Sequence, residues 1–108
     1  MRRGDFVVVA VPGDYGKPRP ALVVQSDLFA KLPSVTLCPL TTTVRVDADL
    51  IRLTIEPSGE NGLESTSQAM IDKVTTVAVG KVARVIGHAD EALMVQVNRA
   101  LTMFLGVA

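Results

Sequence analysis

Two almost unbroken apolar runs open the chain, Phe6 to Val11 and Pro20 to Gln25, separated by a turn-forming stretch rich in Pro and Gly. Such runs, lacking helical spacing, predict strands that are buried on both faces or that close a small barrel. Val35 to Leu40 predicts a third strand. Leu50 to Ile55, which partly alternates, predicts a fourth, and Ser67 to Asp72 and Lys81 to Ile86 predict two more. Ser26-Asp27-Leu28-Phe29-Ala30-Lys31 reads as a short helical turn with Ser26 or Asp27 as its cap. Pro57-Ser58-Gly59-Glu60-Asn61-Gly62 has the residues of an exposed loop. From about Ala89 the period becomes helical: Leu93, Val97, Ala100, Leu101 and Phe104 fall on one apolar face. Asp90 and Glu91 belong to its first turn, Ala89 offers no cap, and Gly106 supplies the stop. Short links between neighbouring strands favour an α+β, mainly β fold. The expected form is a curled antiparallel sheet or SH3-like small barrel with a C-terminal α-helix.

Composition narrows this to one domain spanning residues 1–108 with an aliphatic core, since apolar residues make up 48% of the chain and aromatics only 4%. Lone Cys38 has no internal disulfide partner, which suits a reducing cytoplasm, and reads as a small buried apolar residue. The N-terminus lacks the apolar segment of a secretory signal, and no stretch approaches the roughly 18 apolar residues of a membrane span. Net charge is zero, but its distribution is uneven. Arg2, Arg3, Lys17, Arg19, Lys31 and Arg45 outweigh Asp5, Asp14 and Asp27 in the first part of the chain. Asp47, Asp49, Glu56, Glu60 and Glu64 surround Arg52 alone, which is expected to be an inert surface charge. A local basic groove for a short single strand is compatible with a neutral whole.

The candidate chemistry starts at Arg19-Pro20. Arg stays protonated and offers a planar fork of donors that fits a phosphate, and Pro20 biases Arg19 towards an extended backbone. Other chemistries lack their residues. His88 is the single histidine, no Cys/His cluster could hold a metal, and neither a nucleophile elbow nor a Gly-rich phosphate loop is present. No metal and no cofactor are expected. RNA cleavage needs neither, because the substrate brings its own nucleophile, the 2′-hydroxyl. The protein must orient the attack, accept a proton and stabilise the phosphorane. Arg19 can grip the phosphate, and Thr41, closing the third strand, can donate a hydroxyl to it.

The order of motifs resembles the MazF/PemK/Kid toxins of bacterial toxin–antitoxin pairs. It is carried by Arg3-Gly4-Asp5 before Phe6-Val7-Val8-Val9, by Arg19-Pro20-Ala21-Leu22-Val23, by Pro39-Leu40-Thr41-Thr42, by Ala69-Met70-Ile71-Asp72-Lys73-Val74-Thr75-Thr76, by Gly80-Lys81-Val82 and by the closing helix. The resemblance implies a metal-independent, sequence-selective endoribonuclease toxin acting on single-stranded RNA, homodimeric, and neutralised by an antitoxin with an acidic tail. It implies Arg19 and Thr41 as the catalytic pair and Asp72 in proton transfer. It places Asp14, Lys17, Thr42 and Lys73 against RNA, with the Asp14–Lys17 loop over the groove. The D-Q-[IV]-R-T motif departs here: Lys73 replaces Gln, Thr75 replaces Arg, and Met70 stands where Kid-like chains carry a further Arg. The chain also resembles CcdB at Val24-Gln25-Ser26-Asp27, Val85-Ile86-Gly87 and Met103-Phe104-Leu105-Gly106. CcdB-like toxins trap DNA gyrase through a chain end bearing a Trp before the final Gly, where this chain has Leu105. Gyrase binding and a silent SH3-like binding module are the alternatives.

Overall fold

The computed structural model describes residues 1–10 and 17–107. Among the described residues seven strands and one α-helix form, in chain order: β1 (Asp5–Ala10), β2 (Pro18–Val23), β3 (Ser34–Thr41), β4 (Arg52–Ile55), β5 (Ser67–Met70), β6 (Thr75–Ala78), β7 (Val82–His88) and α1 (Glu91–Leu105). All pairings are antiparallel, in the order β4-β5-β3-β2-β1-β7 with β6 also on β3. The mainly β fold is therefore the curled, open sheet of the two expected forms. No ladder links β6 to β7 among the described residues; a 3₁₀ turn at Val79–Lys81 joins them.

Strand β6 is the element that the sequence pattern did not predict. It continues β5 along the same edge of β3, after an interruption. Leu40 pairs with Ala69 and Leu37 with Thr75, so two residues of β3 face five of the other strand. The surplus is taken up as a 3₁₀ turn at Ile71–Lys73, which corrects the expected strand Ser67 to Asp72 at its end. The second strand also begins earlier than expected and ends earlier. Its ladder with β1 runs from Pro18 to Leu22, whereas the N–H groups of Val24 and Gln25 both turn to the Thr36 carbonyl. Leu50 and Ile51 lie in a turn outside β4, where the N–H groups of Ile51 and Arg52 reach Ala48.

Two apolar clusters fill the two faces of the sheet. Leu22, Cys38, Leu40, Leu53, Ile55 and Ala69 pack under α1 with its buried Val97 and Ala100. Val7, Val9, Ala21, Val23, Val35, Leu37 and Val77 fill the other face. Helix α1 starts at a proper cap, since Asp90 accepts the Leu93 N–H at 2.8 Å. Asp90 is thus the capping residue itself rather than part of the first turn. Gly106 ends the helix in the left-handed conformation, as expected. Phe104 departs from the expected buried face and is exposed. No helix among the described residues is long and apolar enough to cross a membrane.

Candidate active site

Side chains alternate along a strand, and directly paired residues share a face. Leu40 and its partner Ala69 face the helix, so Thr41 and its partner Gln68 face away from it. Gln68 also pairs with Thr54, and Met70 with Arg52, which extends the same face onto β4. On β2, Ala21 is paired with Pro39, the last pair of that ladder, and Arg19 and Thr41 follow two residues beyond it on the same face. A polar row, Thr41, Gln68 and then Thr54 with Arg52, crosses three strands on the face opposite α1, and Arg19 stands on the same face of β2. It borders the apolar cluster of that face, where Arg19 pairs with fully buried Val9.

Arg19 is half-buried in β2, as the extended reading of Arg19-Pro20 requires. Thr41 is half-buried at the end of β3, and its Oγ1 accepts the Thr43 N–H at 3.1 Å. That bond turns the chain out of the sheet and leaves the Thr41 hydroxyl proton uncommitted to it. Lys17, Thr42 and Lys73 are exposed. Asp14 lies outside the described residues.

Asp72 sits in the 3₁₀ turn between β5 and β6, and the three surplus residues carry it off the ladder. Its carboxylate meets Arg52 in a two-pronged pair, Nε to Oδ1 at 2.8 Å and Nη2 to Oδ2 at 3.0 Å. Arg52 is only 8% exposed, so it is a buried partner and not the inert surface charge expected from its acidic surroundings. The hydrogen bond from Arg52 holds the Asp72 carboxyl below the usual carboxylate range, and the reciprocal bond raises Arg52 further. Asp72 is ionised at neutral pH, and the same pair lowers its affinity for a proton. Arg52 also occupies the place directly across from Met70, so a guanidinium reaches this face from β4 although β5 lacks one.

Gln68 is the second residue that the sequence reading missed. It is 2% exposed, and its amide is fully engaged. Oε1 accepts the Arg45 N–H at 2.9 Å, while Nε2 donates to the Arg45 carbonyl at 3.0 Å and to Thr54 Oγ1 at 3.1 Å. An amide inside an otherwise buried strand was the available signal. No comparable signal marked Arg52, because its partner lies 20 residues away.

A profile of the PemK-like, MazF-like toxins of type II toxin–antitoxin systems matches residues 2–105. The chain belongs to this family. It is 48% identical over 109 residues to the probable endoribonuclease MazF of Mycolicibacterium smegmatis, covering all of this chain and 99% of that protein. Among solved structures, the Mycobacterium tuberculosis toxin MazF-mt6 superposes with a TM-score of 0.80 at 23% identity, over 94% of this chain and 96% of its own. An endoribonuclease in complex with its cognate antitoxin, from a mycobacterial species, gives 0.81 at 23% identity over 100% and 97%. The MazF of a MazE–MazF complex from Deinococcus radiodurans gives 0.77 at 18% identity over 100% and 98%. At these identities the structural matches establish the fold. The match to MazF-like toxins supports the ribonuclease reading over the gyrase-binding alternative.

Proposed function

We propose that this toxin is a metal-independent, sequence-selective endoribonuclease that cuts single-stranded RNA through the RNA's own 2′-hydroxyl. What supports this reading is that Arg19 and Thr41 lie on the same face of adjacent strands, opposite the helix, two residues beyond the Ala21–Pro39 pair. A cation with a planar fork and a hydroxyl donor, on one face of adjacent strands, suit two oxygens of one phosphate. Family membership and the name of the Mycolicibacterium relative support the same activity.

In this mechanism the 2′-oxygen attacks phosphorus and the bond to the 5′-oxygen breaks. Arg19 stabilises the charge that builds on the phosphorane, and Thr41 holds the phosphate in line. The family resemblance assigns the 2′-hydroxyl proton to Asp72, which must give up part of its two-pronged hold on Arg52 to accept it. Lys73, exposed beside it, is the donor available to the leaving 5′-oxygen. Lys17 and Thr42, exposed, contact the strand, and the family resemblance assigns RNA contact to Asp14 as well. The protein acts as a cytoplasmic homodimer, with RNA in a groove at or near the interface. The antitoxin neutralises it by folding an acidic, disordered tail over that groove.

The test is incubation of the purified protein with a long RNA in excess EDTA. Cleavage should persist and leave a 2′,3′-cyclic phosphate and a 5′-hydroxyl. Metal-dependent cutting or a 5′-phosphate product overturns the mechanism. Intact RNA together with gyrase-dependent DNA breaks would restore the CcdB-like alternative, and neither activity would leave a silent binding module.

A further inference from the structure

Resting on the ribonuclease reading, we propose that Arg45 is a specificity-determining residue that contacts an RNA base beside the cut, and that Gln68 is the positioning residue that holds it there. Gln68 is paired directly with Thr41, the hydroxyl assigned to the scissile phosphate. Its side chain grips one residue of the segment that leaves β3, taking the Arg45 N–H and donating to the Arg45 carbonyl. A residue held by both backbone groups cannot slide along its loop. Arg45 is thereby fixed one glutamine side chain away from Thr41. The grip is itself anchored, because Gln68 is buried and donates also to Thr54 on β4.

The Arg45 side chain points into solvent, 52% exposed. Its contacts with Asp47, both at 3.4 Å, are long for hydrogen bonds between charged groups. An exposed pair of this kind yields readily to a better ligand. Arg45 is the single cation of residues 42–51, where Asp47 and Asp49 repel phosphates, so the segment is unsuited to tracking the RNA backbone. What it does present is a planar guanidinium flanked by exposed Val44 and by Val46, which is 93% exposed. An unstacked base is recognised by such a surface: the plane stacks or forks onto the base edge, and the apolar flanks cover its face.

The experiment is single-turnover cleavage of a long RNA with every cut site mapped, alongside KM and kcat on the best short substrate and a thermal melt. Arg45→Ala should melt like wild type and raise KM on the best substrate. It should lose about 5- to 150-fold in discrimination between cut and uncut sequences, the span of one forked base contact. Arg45→Lys should recover KM but not discrimination, since an ammonium lacks the fork. Gln68→Glu still accepts the Arg45 N–H but no longer donates to its carbonyl, and should reproduce the Arg45→Ala pattern. One Gly inserted after Thr43 puts another residue in the grip without touching the core, and should do the same if Gln68→Glu fails to fold. Arg45→Ala cutting the same sites with the same KM overturns the role of Arg45. An insertion variant that keeps the wild-type sites overturns that of Gln68. If the wild-type chain cuts no RNA, the ribonuclease reading itself fails. Equal binding of a 2′-O-methyl RNA by wild type and Arg45→Ala then removes the contact as well.

Discussion

At Arg19 two accounts differ by a measurable amount. An exposed strand-end charge can be removed within about half a kcal/mol of stability and without loss of activity. A group that stabilises the phosphorane costs roughly 2.7–4 kcal/mol of barrier when lost, a hundred- to thousand-fold in rate. Arg19→Ala is expected to show the second effect in single-turnover cleavage, with Arg19→Lys recovering part of it. A folded Arg19→Ala protein cutting at the wild-type rate removes Arg19 from the mechanism. The Arg52–Asp72 pair carries a different prediction, on stability. Breaking a fully buried pair costs about 3–5 kcal/mol, and the Asp72 side chain, 24% exposed, lowers this to about 1–3 kcal/mol for Arg52→Ala. Because the folded Asp72 carboxyl is depressed by Arg52, the stability it contributes is complete above the ordinary unfolded value of about 3.9. That contribution is lost as pH falls from there through the depressed folded value. Urea melts from pH 7 to pH 3 should therefore show the advantage of wild type over Asp72→Asn shrinking only at the acid end. A constant difference across that range would contradict the pair's electrostatic role. At Cys38, burial pushes the thiol up to about 12, so it should resist thiol reagents in the native protein at pH 8 and react on unfolding.

At the scale of elements, the 57–62 turn is the exposed loop that its composition suggested except at buried Asn61, and it is also a clamp on β7. Asn61 is buried, with Nδ2 donating to the Glu56 carbonyl at 2.9 Å and Oδ1 accepting from Ser58 and Leu63 at 3.0 Å each. The His88 N–H reaches the Glu60 carbonyl at 2.8 Å. Gly62 has φ +69°, and a Cβ there would meet the Ile86 carbonyl oxygen at 2.0 Å. Backbone cannot retreat from backbone at that distance without opening the turn. Gly62→Ala should destabilise by more than about 3 kcal/mol, beyond the common range for point substitutions, in a urea melt. A change below about 1 kcal/mol would mean that the turn does not hold β7.

For the whole molecule, apolar side chains remain uncovered at the end of α1, where Met103, Phe104, Leu105 and Val107 are exposed, and at Leu28, Phe29 and Leu32. Exposed apolar area of this kind marks association surfaces, and the proposed two-fold dimer requires one that is complementary to itself. Sedimentation equilibrium at micromolar concentration should give twice the chain mass of 11.5 kDa. A stable monomer would count against a groove shared between subunits.

What the sequence determined by itself is what short-range physics dictates. The apolar runs specify β1, β2 and β3 because a buried strand needs no partner to be recognised. The helical period and Gly106 specify α1 and its end. Arg19-Pro20 and Thr41 are visible because a charge or hydroxyl at the end of an apolar run stands out against it. Residues 75–78 carry a weaker pattern, since Thr75, Thr76 and Ala78 bury little and only Val77 is a core residue. That segment becomes a strand through the edge of β3, which supplies the hydrogen bonds. The placement of Arg52 against Asp72, and of Gln68 between Thr41 and Arg45, was decided by tertiary structure alone. Each depends on strand register, which sets which distant residues meet, and register is fixed by how the two apolar clusters pack on the two faces of the sheet.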